Sequence, residues 1–253
     1  MIIVNLKGGL GNYLFQIAAG YVTALKHNTE YSIDINKIMQ IHSHIDVYRD
    51  NMFRSVPIGN NLPVHSHYHY DSLSYKDIVY NDNMLLDGYF QSEKYWFGFE
   101  DKVKELFSID ENTLKYLNDK YGDILNDNNT CSIHVRRGDY LNIDIFNKLD
   151  HGYYNNAIDI VGRDKHFIIF SNDIEWCKNN FNGIKAMFIE NEVDYVDLYL
   201  MSLCKHNIIA NSTFSWWSAY LNNNENKTVI GPNTWFLHSH SNQDIIPNTW
   251  TKI

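Results

Sequence analysis

Arginine is scarce in this chain: five arginines stand against sixteen lysines. Cysteine is scarcer. Cys131, Cys177 and Cys204 are odd in number, far apart and in no CxxC pattern. That excludes a disulfide framework and fits a reducing compartment, so a cytoplasmic location is expected. No apolar run approaches the ~20 residues that a bilayer-spanning helix needs. The N-terminus has no charged n-region and no small-residue cleavage site, and Met1 leads straight into a strand, so no secretory leader is expected. The net charge of −9 argues against nucleic acid or an anionic membrane as the main partner. An anionic substrate would need local positive charge.

Two of the five arginines are adjacent, in Cys131–Tyr140 (CSIHVRRGDY). Cys131 to Val135 reads as a buried strand, followed at once by Arg136, Arg137, Gly138 and Asp139. Arginine grips phosphate with two parallel hydrogen bonds and a charge that does not titrate away. Open α/β sheets bind ligands at strand ends. A phosphate-bearing substrate at this strand end is one reading; a structural Arg–carboxylate pair at a turn is the other.

The 253 residues, 44% apolar and 20% charged, suit a soluble globular protein with one large domain or two halves. The aromatic fraction of 15%, with 18 Tyr, is high enough to line a sugar site or simply to fill a core. Met1–Leu6 reads as a buried strand and Lys7–Asn12 as a glycine-rich turn. Leu14, Ala18, Val22 and Leu25 then share one helical face. Strand, glycine loop and helix can bring phosphate to backbone N–H groups, or can be a plain tight turn. Leu14 stands where the dinucleotide fingerprint needs its third glycine, and no Gly-Lys-Ser/Thr follows. Tyr31–Ile35 reads as a second strand with Asp34 as an ordinary strand-end acid. His65, His67 and His69 alternate, which places them on one face of an extended segment. A polar loop or an acceptor-site wall is expected there rather than a metal site.

The Asn-rich stretch Asp123–Thr130 marks a boundary, dividing the chain into 1–128 and 129–253. After it, strands at Cys131–Val135, His166–Phe170, Ala186–Ile189, Asn207–Ala210 and Lys227–Ile230 alternate with helical runs, one near Asp194–Cys204. That rhythm predicts a parallel sheet with crossover helices. Its strand ends carry polar clusters at 136–139, 171–173, 190–192 and 211–213, all expected on one edge. Ser212 or Thr213 can cap a helix whose start offers N–H groups to an anion. Phe214, Trp216 and Trp217 fit either that site or the core.

Four stretches together resemble the bacterial-type α-1,2-fucosyltransferases of glycosyltransferase family 11. They are Gly8-Gly9-Leu10-Gly11-Asn12 with Leu14-Phe15-Gln16; Gly88 to Tyr95; His134-Val135-Arg136-Arg137-Gly138-Asp139-Tyr140; and Asn211 to Trp217. Tyr13 departs from the family, which usually has Gln there. The resemblance implies a GT-B-like α/β fold, two Rossmann-like halves facing a cleft. Residues 1–128 would be the acceptor side and 129–253 the GDP-sugar side. It implies inverting transfer of L-fucose from GDP-β-L-fucose to the 2-hydroxyl of a galactoside. Arg136 and Arg137 would contact the GDP, and Ser212, Thr213 and Phe214 would line the diphosphate and fucose. Gly11 and Asn12 would close over the donor, and His134 and Asp139 would support the arginines. GDP-fucose is then a substrate, and no cofactor is expected. The acceptor would be a galactose-containing oligosaccharide or glycolipid, and a lipid-linked acceptor would allow peripheral membrane association.

Glycosyl transfer builds negative charge on the leaving diphosphate. No two aspartates stand two residues apart in the chain, so the metal-holding Asp-x-Asp of other transferases is missing. Stabilisation by arginine and backbone N–H groups without metal is expected. Asp144 lies five residues beyond Asp139, where some relatives in the resembled family carry an acidic group near the acceptor, so the resemblance makes it the candidate base; a solvated loop acid is the other reading. Asp139 is the alternative, although two neighbouring arginines would depress its pKa. Asn36–Asn83 would shape the acceptor site. Two alternatives stand beside this reading: a same-fold transferase with another donor sugar or a non-galactose acceptor, and a nicotinamide-dependent oxidoreductase built on the first glycine loop.

Overall fold

The computed structural model describes residues 1–37, 45–70, 72, 74–237 and 244–253. The chain divides into two compact units: Met1–Ile109 with Ser241–Pro247, and Asp110–His240 with Asn248–Ile253.

Unit 1 runs β1 (Ile2–Val4), α1 (Leu10–Lys26), β2 (Tyr31–Asp34), α2 (Ile45–Arg49), β3 (Ile58–Gly59), β4 (Ser66–Tyr70), β5 (Met84–Gly88) and α3 (Glu100–Leu106). Its five strands are parallel, in the order β3-β2-β1-β5-β4. β1 lies between two neighbours and is wholly buried, as its unbroken apolar run predicts. Leu14, Ala18 and Val22 of α1 are buried against the core, whereas Leu25 is half exposed. The close approach of α1 to β1 is made at Gly20, where a Cβ would stand 2.4 Å from a Val4 methyl. In dinucleotide folds the third fingerprint glycine does this packing. Here Leu14, at that position, is core instead. Asp34 is buried and accepts from the backbone N–H groups of Asn36, Asn61 and Leu62, so it organises a loop. His65, His67 and His69 are all exposed, in keeping with their alternation. Residues 38–44, 71 and 73 of the expected acceptor segment lie outside the described residues.

Unit 2 runs α4 (Glu111–Leu125), β6 (Thr130–Val135), α5 (His151–Val161), β7 (His166–Ser171), α6 (Ile174–Asn180), β8 (Ala186–Phe188), α7 (Asp194–Leu203), β9 (His206–Ile208), α8 (Thr213–Leu221), β10 (Val229–Gly231) and β11 (Thr251–Lys252). Its six strands are parallel, in the order β11-β10-β9-β6-β7-β8. The division at 109/110 precedes the expected boundary at 128/129. Asp110 caps α4 by accepting from the Thr113 N–H, and the helix continues to Leu125, well into the polar stretch. It also packs with α7, and its Tyr116 and Lys120 bind the carboxylate of Glu192, just before that helix. α4 therefore belongs with the second sheet. Among the described residues, no helix is long and apolar enough to cross a membrane.

The winding fixes where a ligand can sit. In unit 2 the chain moves from β6 out through β7 and β8, then returns to the other side of β6 as β9. In unit 1 the order turns between β1 and β5. Such reversals leave room at the carboxyl ends of the two strands involved. The stretches that follow those four strands are the four that carry the family resemblance.

Candidate active site

β6 is buried at every position, which sets the strand end rigidly. Arg136 and Arg137 leave it, and the chain turns at Gly138 with φ +44°. A Cβ at Gly138 would lie 2.5 Å from the Asn172 amide nitrogen, so this position needs glycine for both conformation and space. The Arg137 N–H donates to Asn172 Oδ1 at 2.9 Å, which ties the turn to the end of β7.

The two arginines are held differently. Arg137 Nε donates to Asp173 Oδ2 at 3.0 Å, and its guanidinium lies 4.2 Å from the centre of the Trp176 ring. Among the described residues no hydrogen-bond partner meets its Nη1 or Nη2. The Arg136 guanidinium stands 5.0 Å over Tyr140, whose ring stacks at 3.8 Å on Phe146. Phe146 pairs its backbone with Phe236, and the Leu237 N–H donates to the Ile145 carbonyl at 2.9 Å. The loop carrying Tyr140 and Phe146 is thereby clipped to the segment after β10. The structural Arg–carboxylate reading and the ligand reading thus both find support at Arg137: one edge of its guanidinium is paired and the Nη atoms remain.

His134 is buried at the end of β6, its ring 5.4 Å from that of Phe214. Burial pushes the imidazole down to about 3, and the Arg136 charge adds to the shift. The ring is therefore neutral and adds no like charge beside the arginines. Its Nδ1 has no partner among the described residues. Phe214 brings the stretch after β9 to the same place. Ser212 is buried and extended, and its side chain does not cap α8. The first turn of α8 contains no acidic residue. Asn211 is structural, donating to the carbonyls of Asn147 at 2.9 Å and Trp235 at 3.0 Å. Trp216 and Trp217 are fully buried, which settles them as core.

The structure thus gathers His134, Arg136, Arg137, Ser212, Thr213 and Phe214 at the β6–β9 reversal. Asp144 sits in the turn beyond, fully exposed, 4.0 Å from the Lys148 ammonium. The side chain of Asp139 lies outside the described residues.

Gly11 and Asn12 are in unit 1, in the first turn of α1. Gly8 has φ +88°, and a Cβ there would strike the Asn12 amide at 2.3 Å. Asn12 Oδ1 accepts from Gln91 Nε2 at 2.8 Å. Gln16 clasps the backbone of Lys7, accepting from its N–H at 3.0 Å and donating to its carbonyl at 3.1 Å. Lys7 is paired with Asp87 at 3.1 Å, and Asp87 also accepts from Asn5 and His69. Burial pushes the Asp87 carboxyl up, but the hydrogen bonds from Lys7, His69 and Asn5 outweigh it and hold the pKa below its ordinary value.

Asn172, Asp173, Trp176 and Tyr140 were not singled out from sequence as site residues. The 171–173 cluster was visible as a polar group on the right edge. Trp176 follows Asp173 at capping distance, which is a signal only once Asp173 is read as an N-cap.

The model of glycosyl transferase family 11 matches residues 1–253. The chain belongs to glycosyl transferase family 11. Among the relatives of this family 11 chain, an alpha-1,2-colitosyltransferase of Escherichia coli is 30% identical over 288 residues, covering 100% of this chain and 99% of the relative. A galactoside 2-alpha-L-fucosyltransferase of Caenorhabditis elegans is 27% identical over 289 residues, covering 100% and 79%. The fold is similar to that of NodZ alpha-1,6-fucosyltransferase in a crystal soaked with GDP-fucose, with a TM-score of 0.55 at 12% identity, covering 87% of this chain and 91% of that one. The GT-B-like α/β class expected from sequence is borne out. So is the assignment to glycosyltransferases, and the nicotinamide-dependent alternative falls with it.

Proposed function

We propose that this family 11 chain transfers L-fucose from GDP-β-L-fucose to the 2-hydroxyl of a galactoside, with inversion and without a metal ion. The observation that carries the reading is the placing of an arginine pair and an uncapped helix start on the two strands flanking the unit 2 reversal. That is where a diphosphate-bearing donor suits an α/β sheet.

In this reading the acceptor oxygen attacks the anomeric carbon from the face opposite the diphosphate. The sugar–oxygen bond to GDP breaks as the new bond forms, and the electron pair leaves on the diphosphate. Arg137, with Arg136 and the first N–H groups of α8, meets the charge that develops there. Neutral His134 and Phe214 pack the sugar–diphosphate end. The acceptor proton passes to Asp144, with Asp139 as the alternative. Gly11 and Asn12 are assigned to the donor by the family pattern alone.

The relatives support a second donor. Colitose is L-fucose without one ring hydroxyl, and a colitosyltransferase aligns with this chain from end to end. The test is GDP release from GDP-fucose, and separately from GDP-colitose, with lactose in EDTA. Lactose-dependent release in EDTA from GDP-fucose is expected, and NMR of the product then fixes the linkage. Release from GDP-colitose alone moves the donor assignment. Tight GDP binding with no release moves the acceptor away from lactose. Absence of GDP binding overturns the reading.

A further inference from the structure

Arg137 is braced at the unit 2 reversal, and the brace comes from one short segment. Ser171 Oγ accepts from the Asp173 N–H at 2.9 Å, which forms the turn after β7. Asp173 then divides its carboxylate. Oδ1 caps α6 by accepting from the Trp176 N–H at 3.3 Å, and Oδ2 accepts from Arg137 Nε at 3.0 Å. The capping bond prevents the carboxylate from following the arginine. Trp176 cannot turn away either. Its ring is wedged edge-on against Tyr154 at 6.4 Å and Phe181 at 6.0 Å, and both of these are buried. One carboxylate oxygen therefore fixes the edge of the guanidinium, and an immobilised indole fixes its face.

We propose that Asp173 and Trp176 are positioning residues that hold the Arg137 guanidinium ready for the donor diphosphate. The inference rests on the reading of Arg137 as a diphosphate ligand. A long arginine side chain is free in many rotamers, and ordering it on binding would cost affinity. Bracing it beforehand removes that cost and places Nη1 and Nη2 before the donor arrives. The pair uses Nε, leaving the two Nη groups for the ligand.

A pure charge argument gives the opposite sign. Asp173 partly neutralises Arg137 and repels a diphosphate, so on charge alone Asp173→Asn should tighten GDP binding. If Asp173 positions Arg137, the same change loosens it. The asparagine retains an oxygen to cap α6 but turns an amide N–H₂ towards the Arg137 Nε–H.

The experiment is calorimetry with GDP on the full chain, with kcat and KM for GDP-fucose alongside. Asp173→Asn is expected to weaken GDP binding and to lower kcat/KM, each by roughly 10- to 100-fold, the scale at which a misplaced site group is felt. Trp176→Leu should move both the same way, and Trp176→Phe should recover part of the loss. In an Arg137→Ala background, Asp173→Asn should cost nothing further. That silence is what a merely structural role would not show, because a weakened start of α6 lowers affinity in either background. Thermal melting checks that Asp173→Asn folds, and should it not, Trp176→Leu against Trp176→Phe carries the same test. Unchanged or tighter GDP binding in Asp173→Asn overturns the positioning role, as does an equal loss in both backgrounds. Lack of GDP binding by the unaltered chain overturns the diphosphate reading itself, and with it the purpose of the brace.

Discussion

Both sheets reverse their strand order beside the first strand, β1 or β6, and they fill the reversal differently. In unit 1 the stretches after β1 and β5 satisfy each other. Gln91 donates to Asn12, and Lys7 pairs with Asp87, which Asn5 and His69 also reach. In unit 2 the stretches after β6 and β9 meet as rings, His134 against Phe214. The cation there is braced from a third stretch, after β7, through Asp173 and Trp176. A lysine whose carboxylate partner is itself anchored by two other groups is part of the scaffold. An arginine braced on its edge and face, with its Nη atoms remaining, is equipped for an outside anion. Equivalent positions in one kind of sheet thus serve cohesion in one unit and binding in the other.

The strongest way to break this contrast is to remove the binding cation. Arg137→Ala is expected to cost about 2–4 kcal/mol of transition-state stabilisation, the scale of a lost oxyanion donor. Arg136→Ala should fall in the same range. kcat/KM for GDP-fucose checks both, and undiminished turnover in either removes that residue from the mechanism.

A second contrast lies inside unit 2, between two neighbouring acids. Glu192 is bound by Tyr116, Tyr121 and Lys120. Burial pushes its pKa up, but these hydrogen bonds outweigh it and hold the group below its ordinary range. Asp197 on α7 has no partner for its buried Oδ1 among the described residues. Burial, helped by the charges of Glu192 and Asp194, pushes its carboxyl from 3.8 up to about 7. Between those values the folded state holds a proton that the unfolded chain has released. Asp197 therefore stabilises the protein relative to its ionised form at low pH. That contribution is lost as pH rises from about 4 through about 7. Asp197→Asn should leave melting at pH 4 nearly unchanged and raise stability at pH 8 by about 1–3 kcal/mol. Equal effects at both pH values would show that the group is ionised throughout.

The scaffold lysine should behave unlike the arginines. Lys7→Ala leaves Asp87 with Asn5 and His69, so the expected cost is ~1–2 kcal/mol of stability. GDP affinity should fall far less than in Arg137→Ala. A loss of affinity matching that of Arg137→Ala, with unchanged stability, would reverse the roles assigned to the two edges.

The strand rhythm after residue 130 was legible because central parallel strands are continuous apolar runs bounded by polar clusters. β6, β7 and α7 fall where the sequence predicts them. The unit boundary was less legible. Asn and Asp are common in loops but also end helices: α4 kinks at Tyr121, runs on through Asp123 and ends on a C-cap at Asn126. The arginines were visible as chemistry, whereas their supports were not. Asp173 and Trp176 reach Arg137 only after β7 pairs with β6 in register, a relation that local sequence does not encode. In unit 1, the glycines and Gln16 of the first motif could be read as a ligand loop. Their contacts show that much of that pattern is needed to shape the loop itself.

The smallest expected effect concerns the proton. Asp144 is fully exposed and only loosely near Lys148, so Asp144→Asn should change stability by less than about 0.5 kcal/mol. Its effect on rate is the informative quantity. A base that takes the acceptor proton leaves an acidic limb in the pH–rate profile, and Asp144→Asn should abolish that limb and lower kcat while KM for the donor stays put. The contrast between the units sharpens this measurement. Donor binding depends on the braced arginine, so a change at Asp144 that weakened GDP binding would mark it as part of the donor site. An acidic limb unshifted by the substitution would remove Asp144 as the base. Attention would then pass to Asp139, the alternative base.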